Sequence, residues 1–233
     1  MKILIVVMLL ISQFSIGQIT KGEIKYSKSI RYSDAYKGRV NAKSIKSSSE
    51  SINYTLVFNN KEALFKVDDK MVSDNSTMAD RMAIIKGEGK GIYYTNFGQG
   101  YTIRQNEFGG QQFLIKMKHL NFILTEKTKK IGNFSCREAK YSLKEKAPGE
   151  GMKSYQIDIT VWYSPEIPFS IGPLHFFNLP GAVLEATLGN VTYTATNISI
   201  DPEMELIIEE PKKGKLISED NLLYELHSMR KKI

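Results

Sequence analysis

Cysteine is nearly absent from this sequence, in which Cys136 is the only one among 233 residues. An intramolecular disulfide is therefore excluded, and the fold must be stabilised by a hydrophobic core, which a chain of this length can build. A single thiol can pair with another molecule, ligate a metal or act as a nucleophile. We expect instead that Cys136 is a small buried residue within a strand.

Long apolar runs are absent beyond the start of the chain. Residues 3–11 are apolar, follow the positive Lys2, and precede the small residues Ser15 and Gly17. The run is shorter than the roughly 20 residues that cross a bilayer. The pattern therefore predicts a cleavable signal peptide over residues 1–17 and no transmembrane span. Because no cysteine lies near the predicted cut before Gln18, we expect an exported protein, periplasmic or secreted, that is not lipid-anchored.

Concentrated charge is also absent. The formal net charge is +7, but the basic residues are spread along the whole chain. A protein that binds nucleic acid usually gathers its basic residues on one element, with a known motif or aromatic residues between them. We therefore predict no nucleic-acid partner and expect the basic balance to aid solubility.

Catalytic and metal-binding motifs are missing. There is no G-x-S-x-G string, and residues 87–91 (Gly-Glu-Gly-Lys-Gly) lack the spacing of a phosphate-binding loop. His119, His175 and His227 have no second His or Cys within five residues, so no zinc site is predicted. We predict no catalytic residue, no metal, no cofactor and no enzymatic activity. The alternative is an enzyme, a hydrolase or thiol-dependent catalyst, that uses Cys136 (for instance with His175) or an acidic residue.

Period-two alternation of apolar and polar residues, by contrast, is abundant and is typical of half-buried strands. In residues 155–163, every second side chain from Tyr155 to Tyr163 is apolar. Further strands are predicted at residues 54–58, 63–67, 91–97, 101–107, 112–117, 122–127, 135–144, 183–188 and 191–200. Short strands joined by tight turns favour antiparallel pairing. We therefore predict a mostly β protein, built as a single strongly curved antiparallel sheet or an open β-barrel with a C-terminal helix.

Helix is predicted in few places. Ser218 can cap the C-terminal helix, whose apolar stripe would contain Leu222, Leu223, Leu226 and Met229. A shorter helix is predicted near residues 78–85, whereas residues 35–51, rich in Lys and Ser, are predicted to form a mobile loop. No repeat or linker divides the chain, so residues 18–233 are predicted to form one antiparallel β domain.

One segment combines proline with aromatic residues. Four of the seven prolines lie at positions 165, 168, 173 and 180. Proline lacks an N–H donor, so this stretch is not a central strand. Leu179-Pro180-Gly181 predicts a type II turn, with glycine at the position that needs positive φ. We predict a rigid apolar loop that either binds a ligand or partner or closes one end of the core. The candidate binding residues are Trp162, Tyr163, Pro168, Phe169, Phe176, Phe177, Leu179, Pro180 and Gly181.

The same segment resembles the GLPGLI family. The matching strings are Trp162-Tyr163-Ser164, Glu166-Ile167-Pro168, Gly172-Pro173 and Asn178-Leu179-Pro180-Gly181-Ala182-Val183-Leu184-Glu185, together with residues 130–136 and Ala139 upstream. The resemblance covers roughly residues 128–200. Asn178 stands where the family has its first glycine, and Ala182 and Val183 stand where it has Leu and Ile. The resemblance implies a protein exported by Gram-negative bacteria, with no agreed activity and no catalytic residues.

The leading functional hypothesis is a non-enzymatic envelope or secreted protein that binds a hydrophobic ligand or a protein partner. The clustering of aromatics and prolines without catalytic groups supports it. The enzyme described above is the first alternative, and a structural or assembly component that acts through its strand edges is the second.

Overall fold

The structure, a computed structural model, describes residues 21–32, 40–68, 76–146, 154–201 and 203–230. The predicted signal peptide lies outside the described residues. Among the residues described, no helix is long and apolar enough to cross a membrane.

Twelve strands form one open sheet. They are β1 (Lys21–Ile30), β2 (Asn53–Asn59), β3 (Glu62–Val67), β4 (Ile92–Asn96), β5 (Tyr101–Phe108), β6 (Gln111–Lys116), β7 (Ile123–Ile131), β8 (Phe134–Lys146), β9 (Ser154–Ser164), β10 (Ala182–Leu188), β11 (Val191–Ile200) and β12 (Lys215–Ser218). Their order is β12-β6-β5-β4-β3-β2-β1-β11-β10-β9-β8-β7, so β12 and β7 are the edges. The predicted mostly β architecture with a single open sheet is confirmed.

The chain connection between β6 and β7 requires the sheet to curve strongly. These strands stand ten positions apart in the sheet order, which in a flat sheet is about 48 Å. Only residues 117–122 join them, and such a link spans at most about 25 Å. The two ends of the sheet therefore bend toward each other, and Met117 and Leu120 of the link are buried in the core.

Alternation places one face of every strand on this concave side. In β1 the buried residues are Gly22, Ile24, Tyr26, Lys28 and Ile30. β2 pairs with β1 so that its own buried residues lie beside them on the same face. Burying a large apolar side chain contributes about 1.5–3 kcal/mol, so the concave face supplies most of the stabilising area. The core extends from β6 to β8 across the sheet.

Two strands were not predicted. β1 was missed although it alternates, and β12 has only four residues. β12 also corrects the expectation that all pairing is antiparallel, because it runs parallel to β6 with Lys215 opposite Phe113. A parallel partner about a hundred residues distant in sequence leaves no local pattern.

In the described part of the chain, three α-helices accompany the sheet: α1 (Val40–Ser51), α2 (Met78–Ile85) and α3 (Glu219–Arg230). α2 matches its prediction and begins with a capping box between Thr77 and Asp80. The predicted mobile loop over residues 35–51 is wrong for residues 40–51, which are helical, and residues 35–39 lie outside the described part. Ala42 is buried and Ile45 packs against the core, so tertiary contacts override a Lys- and Ser-rich composition.

The C-terminal helix is confirmed. The Ser218 hydroxyl accepts a hydrogen bond from the Asn221 N–H at 3.4 Å. Leu222 and Met229 of the predicted stripe pack against the core, whereas Leu223 is 38% exposed. α3 therefore covers the core with only part of its apolar stripe.

Candidate functional site

The proline-rich loop between β9 and β10 fills the concave face. Its apolar side chains are almost entirely buried: Ile167, Ile171, Leu174, Phe176, Phe177 and Leu179. Phe176 meets Phe122 of the β6–β7 link edge to face, with ring centroids 6.2 Å apart. The loop thus occupies the space in which a curved sheet could otherwise hold an apolar ligand.

The nine predicted binding residues do not share one surface. Five are buried, namely Tyr163, Phe176, Phe177, Leu179 and Gly181. Pro168 and Pro180 are exposed, and Phe169 is partly buried against Phe58 and Phe97. Trp162 faces the convex side of β9. A binding role for these residues stays a prediction.

Trp162 takes part in a polar arrangement on that convex side. The Lys129 Nζ lies 4.4 Å from the centroid of the Trp162 ring and 2.7 Å from Glu185 Oε1. The Lys129 ammonium group thus already has an aromatic face and a carboxylate of the same protein as partners. The indole therefore packs within the protein's own charge network.

The Leu179-Pro180-Gly181 turn corrects the predicted type II turn. The Gly181 N–H donates to the Leu179 carbonyl at 2.8 Å, which closes a three-residue γ-turn centred on Pro180. A second γ-turn is centred on Pro168, where the Phe169 N–H donates to Ile167 at 2.8 Å. The tighter turn arises because Gly181 is pressed against β9: a Cβ at Gly181 would lie 2.1 Å from the Ser164 carbonyl oxygen.

Asn178 explains one departure from the GLPGLI string. Its φ is 69°, in the left-handed region that glycine adopts most easily and asparagine tolerates. The Asn178 N–H donates to the Ser170 hydroxyl at 2.5 Å, and the Leu179 N–H donates to the same oxygen at 3.1 Å. The first position of the string therefore requires the left-handed backbone conformation, which asparagine can adopt in place of glycine.

Substitutions at Asn178 should separate this conformational requirement from side-chain chemistry. We expect Asn178→Gly to leave the free energy of unfolding nearly unchanged and Asn178→Val to lower it by about 1–2 kcal/mol. Urea unfolding followed by tryptophan fluorescence measures both. Equal losses in the two variants would mean that the asparagine side chain itself is required.

The thiol and the histidines do not form a nucleophilic site in the described part of the chain. Cys136 is buried, and burial raises the pKa of its thiol to about 11. His175 stacks on Tyr93 with ring centroids 6.5 Å apart, and burial lowers its pKa to about 4. No hydrogen bond joins Cys136 to His175 among the residues that the structure describes. A protonated, buried thiol is a poor nucleophile.

A buried lysine is the group that sequence reasoning missed. Lys28 of β1 is 1% exposed, and its Nζ donates to the carbonyls of Ile84 and Lys86, both at 3.1 Å. The Nζ also lies 5.0 Å from the Tyr54 ring centroid and 5.6 Å from that of Tyr193. Burial lowers the pKa of Lys28 from 10.5 to about 7. The sequence did contain a signal for this group, because Lys28 occupies a position on the apolar face of an alternating strand.

The glycine-rich residues 87–91 dock onto this lysine and its tyrosines. The Tyr193 hydroxyl donates to the Gly87 carbonyl at 2.9 Å, and the Tyr93 hydroxyl donates to the Glu88 carbonyl at 2.7 Å. A Cβ at Gly89 would lie 2.5 Å from the Tyr54 hydroxyl oxygen. The glycines thus allow close backbone approach to the sheet, and hydrogen bonds from β4 and β11 hold the turn there.

Two adjoining clefts form a groove that begins on the opposite, convex face and runs past the end of β3 and the start of β4 toward α2, which packs on the core side; we call the two clefts together the outer groove. One cleft, of about 780 Å³, has a floor of outward-facing residues from β3, β4 and β5 and a wall formed by residues 207–213. The other, of about 620 Å³, continues past Ile92 and Gln105, which line both, toward α2. Pockets of a few hundred to a thousand Å³ are typical binding sites.

The floor of the outer groove follows from strand alternation. Ala63, Phe65 and Tyr93 are buried in the core, so their neighbours Leu64 and Ile92 face outward. The wall is attached by the Gln105 side chain, whose Nε2 donates to the Lys213 carbonyl at 2.7 Å. The outer groove therefore has an apolar middle with backbone and charged groups along its sides.

Charge changes sign along the outer groove. One end carries Glu62, Glu209 and Glu210. Toward the other end the lining contains Lys66, Arg81, Lys90, Lys212 and Lys213, with Glu107 among them. Glu62 and Lys66 lie four residues apart on β3, or about 13 Å. The groove is thus acidic at its β3 start and mainly basic near α2.

Comparisons with known proteins match one segment of this chain to a family model and most of the chain to the fold of a solved structure. A family model described as a protein of unknown function (Porph_ging) matches residues 142–185, from the end of β8 through the proline-rich loop to β10. No curated protein matches the chain. A solved structure titled PNGF-II in a C2 crystal form is similar over 89% of this chain at 13% identity, with a TM-score of 0.52. A second crystal form, P21, is similar over 88% at 14% identity, with a TM-score of 0.46.

The first likeness concerns the fold alone at this identity. The chain spans 32% of the length of each PNGF-II chain that it matches. The shared element is therefore an arrangement of strands, and the chemistry of the site must be argued from this chain's own residues.

Proposed function

We propose that this is an exported, non-enzymatic interaction protein that binds an extended polypeptide segment of a partner in the outer groove. The observation that carries the proposal is the amphiphilic groove across β3, β4 and β5, with an apolar middle and opposite charges at its ends. Extended polypeptides combine apolar and charged side chains in this way.

A polypeptide fits better than a hydrophobic small ligand. The concave face, where an apolar ligand would be shielded from water, is filled by the proline-rich loop and the β6–β7 link. The outer groove is open and lined by nine charged side chains in addition to its apolar floor. A purely apolar ligand would cover part of this charged lining without forming new hydrogen bonds to it, which is unfavourable.

The chain's own packing supports the same conclusion. Residues 204–213 contain no helix or strand and lie along the convex face, attached by the bond from Gln105 to the Lys213 carbonyl and by a bond from Tyr101 to Glu210. The convex face thus already accommodates polypeptide through a backbone acceptor and a carboxylate. A partner segment beside these residues would use the same kinds of contact.

The rival classes have less support. The thiol-dependent version of the enzyme alternative needs a reactive thiol, and burial raises the pKa of Cys136 to about 11. The version that uses an acidic residue stays a prediction. The assembly alternative needs a free strand edge that accepts pairing, but β7 carries Lys127, Lys129 and Lys130 and a register irregularity between Leu124 and Thr128. Lysines and bulges are the devices by which edges resist pairing.

Export and membership of the GLPGLI family complete the proposal. Both rest on the sequence: the signal-like start at residues 1–17, and the intact Leu179-Pro180-Gly181 string inside the segment matched by the family of unknown function. Mass spectrometry of the N-terminal peptide of the protein purified from its own host should find Gln18, free or cyclised to pyroglutamate, as the first residue, and recovery of residues 1–17 on the exported protein would contradict the predicted cut.

Selection from a displayed library of random peptides, each about ten residues long, tests the proposed function. The mature protein should enrich a family of related peptides, and Ile92→Lys should abolish the enrichment because it places a charge in the middle of the groove. Ile123→Lys is the matched control, since Ile123 is 73% exposed at the far edge strand. Enrichment that survives in Ile92→Lys, or no enrichment by the unaltered protein, would contradict the proposal.

A further inference from the structure

We infer that the acidic end of the outer groove recognises a basic side chain of the bound segment, and so sets the direction in which that segment lies. This inference rests on the proposed function. It names the chemistry that the groove selects: a lysine or arginine at the Tyr94 end, followed by apolar residues toward Ile92.

The Tyr94 end pairs aromatic rings with carboxylates. The Tyr94 hydroxyl donates to Glu62 Oε1 at 2.6 Å, and the Tyr101 hydroxyl donates to Glu210 Oε1 at 3.1 Å. The two tyrosine rings are tilted by 52° with centroids 6.2 Å apart. Two carboxylates are therefore held side by side next to an aromatic pair, and carboxylates attract an ammonium or guanidinium group through charge-assisted hydrogen bonds.

The negative charge at this end of the groove comes from the carboxylates and not from the two tyrosines. Burial is the largest cause that raises the pKa of Tyr94, and its bond to Glu62 raises it further. Burial likewise raises the pKa of Tyr101, with Glu210 contributing. Both phenols stay protonated donors at neutral pH, so the carboxylates carry the charge. Each carboxylate has a second oxygen with which to accept a bond from an incoming cation.

Lysines within the chain lie toward the other end. Lys213 lies at the middle of the groove, where its backbone carbonyl accepts a hydrogen bond from Gln105, the strand partner of Ile92, and Lys90 and Arg81 are exposed beyond it. A basic side chain placed near Lys90 and Arg81 would meet like charges, although Glu107 lies among them. The polarity of the groove therefore opposes the reversed direction of binding.

A double-mutant cycle tests the inference. The probe is the peptide most enriched by the unaltered protein, labelled with a fluorophore, and a second copy in which its basic residue is replaced by norleucine. We expect Glu62→Gln/Glu210→Gln to weaken binding of the basic peptide by about tenfold and to leave the norleucine peptide unaffected. Glu126→Gln, an exposed carboxylate on β7, is the matched control and should change neither.

The outcomes separate this inference from the proposed function. If no peptide is enriched, the proposed function fails and the inference fails with it. If peptides are enriched without a basic residue at a constant position, or if the double variant binds the basic peptide as the unaltered protein does, the inference alone is overturned. Should the double variant unfold, Glu210→Gln alone, at an exposed position, gives the same comparison with a smaller expected effect.

Discussion

Gly181→Ala is expected to destabilise the protein by about 3–5 kcal/mol, a large part of the roughly 5–15 kcal/mol by which native domains are stable. An added Cβ would lie 2.1 Å from the Ser164 carbonyl oxygen and 2.8 Å from the Pro165 nitrogen. Both are backbone atoms of the strand end from which the loop starts, so no side-chain rotation can relieve the overlap. The φ of Gly181 is 154°, which adds backbone strain for an alanine.

Gly100→Ala separates the steric effect from the conformational one. Gly100 also has a positive φ, 71°, but nothing lies within 4 Å of a Cβ built there. This control should lose only about 1–2 kcal/mol from the strained backbone. Urea unfolding of both variants gives the comparison, and similar losses at the two positions would mean that the close packing of the loop on β9 is not what requires glycine.

Lys28→Met is expected to remove a dependence of stability on pH that the unaltered protein shows. Lys28 has a pKa of about 7 in the folded state and 10.5 when unperturbed. Between these values the unfolded chain binds a proton that the folded protein does not, so stability rises with pH in this window. The rise from this one group is about 1 kcal/mol per pH unit. Above about pH 10 the buried tyrosines act in the opposite direction, because burial raises their pKa values.

The measurement is the free energy of unfolding at pH values from about 7 to 9.5, taken as the difference between the unaltered protein and each variant. The difference should change by about 2–3 kcal/mol over this range for Lys28→Met. It should stay constant for Lys25→Met, which alters the exposed face of the same strand. A flat difference for Lys28→Met would mean that the buried amine is not held in a neutral form.

Local sequence patterns predicted the helices and strands that are specified by neighbouring residues. α2 was placed correctly, and its Thr77–Asp80 capping box is readable in four residues. The alternating strands β2, β4, β5, β10 and β11 were also found. α1 was mistaken for a loop because its composition is unfavourable and its stability comes from contacts with β1 and α2. β12 depends on a parallel partner distant in sequence, which no local window contains.

The candidate site was harder to predict from the sequence for the same reason, because its parts are distant along the chain. The aromatic and proline residues of the loop stood out in sequence because they are unusual, and their burial accounts for much of that pattern. The outer groove is assembled from three strands and a wall at residues 207–213, and each piece alone has an ordinary composition. The γ-turn at Pro180 likewise depends on Ser164, fifteen or more residues away. Packing decides these features, and packing is non-local.

Hydrogen–deuterium exchange with and without the enriched peptide tests most directly where the protein binds. Binding in the outer groove should slow exchange in β4, β5 and residues 207–213, and leave the proline-rich loop, residues 165–181, unchanged. Slowed exchange confined to residues 165–181 would contradict the account, because it would place the binding surface on the loop that carries Pro168, Phe169 and Pro180 instead.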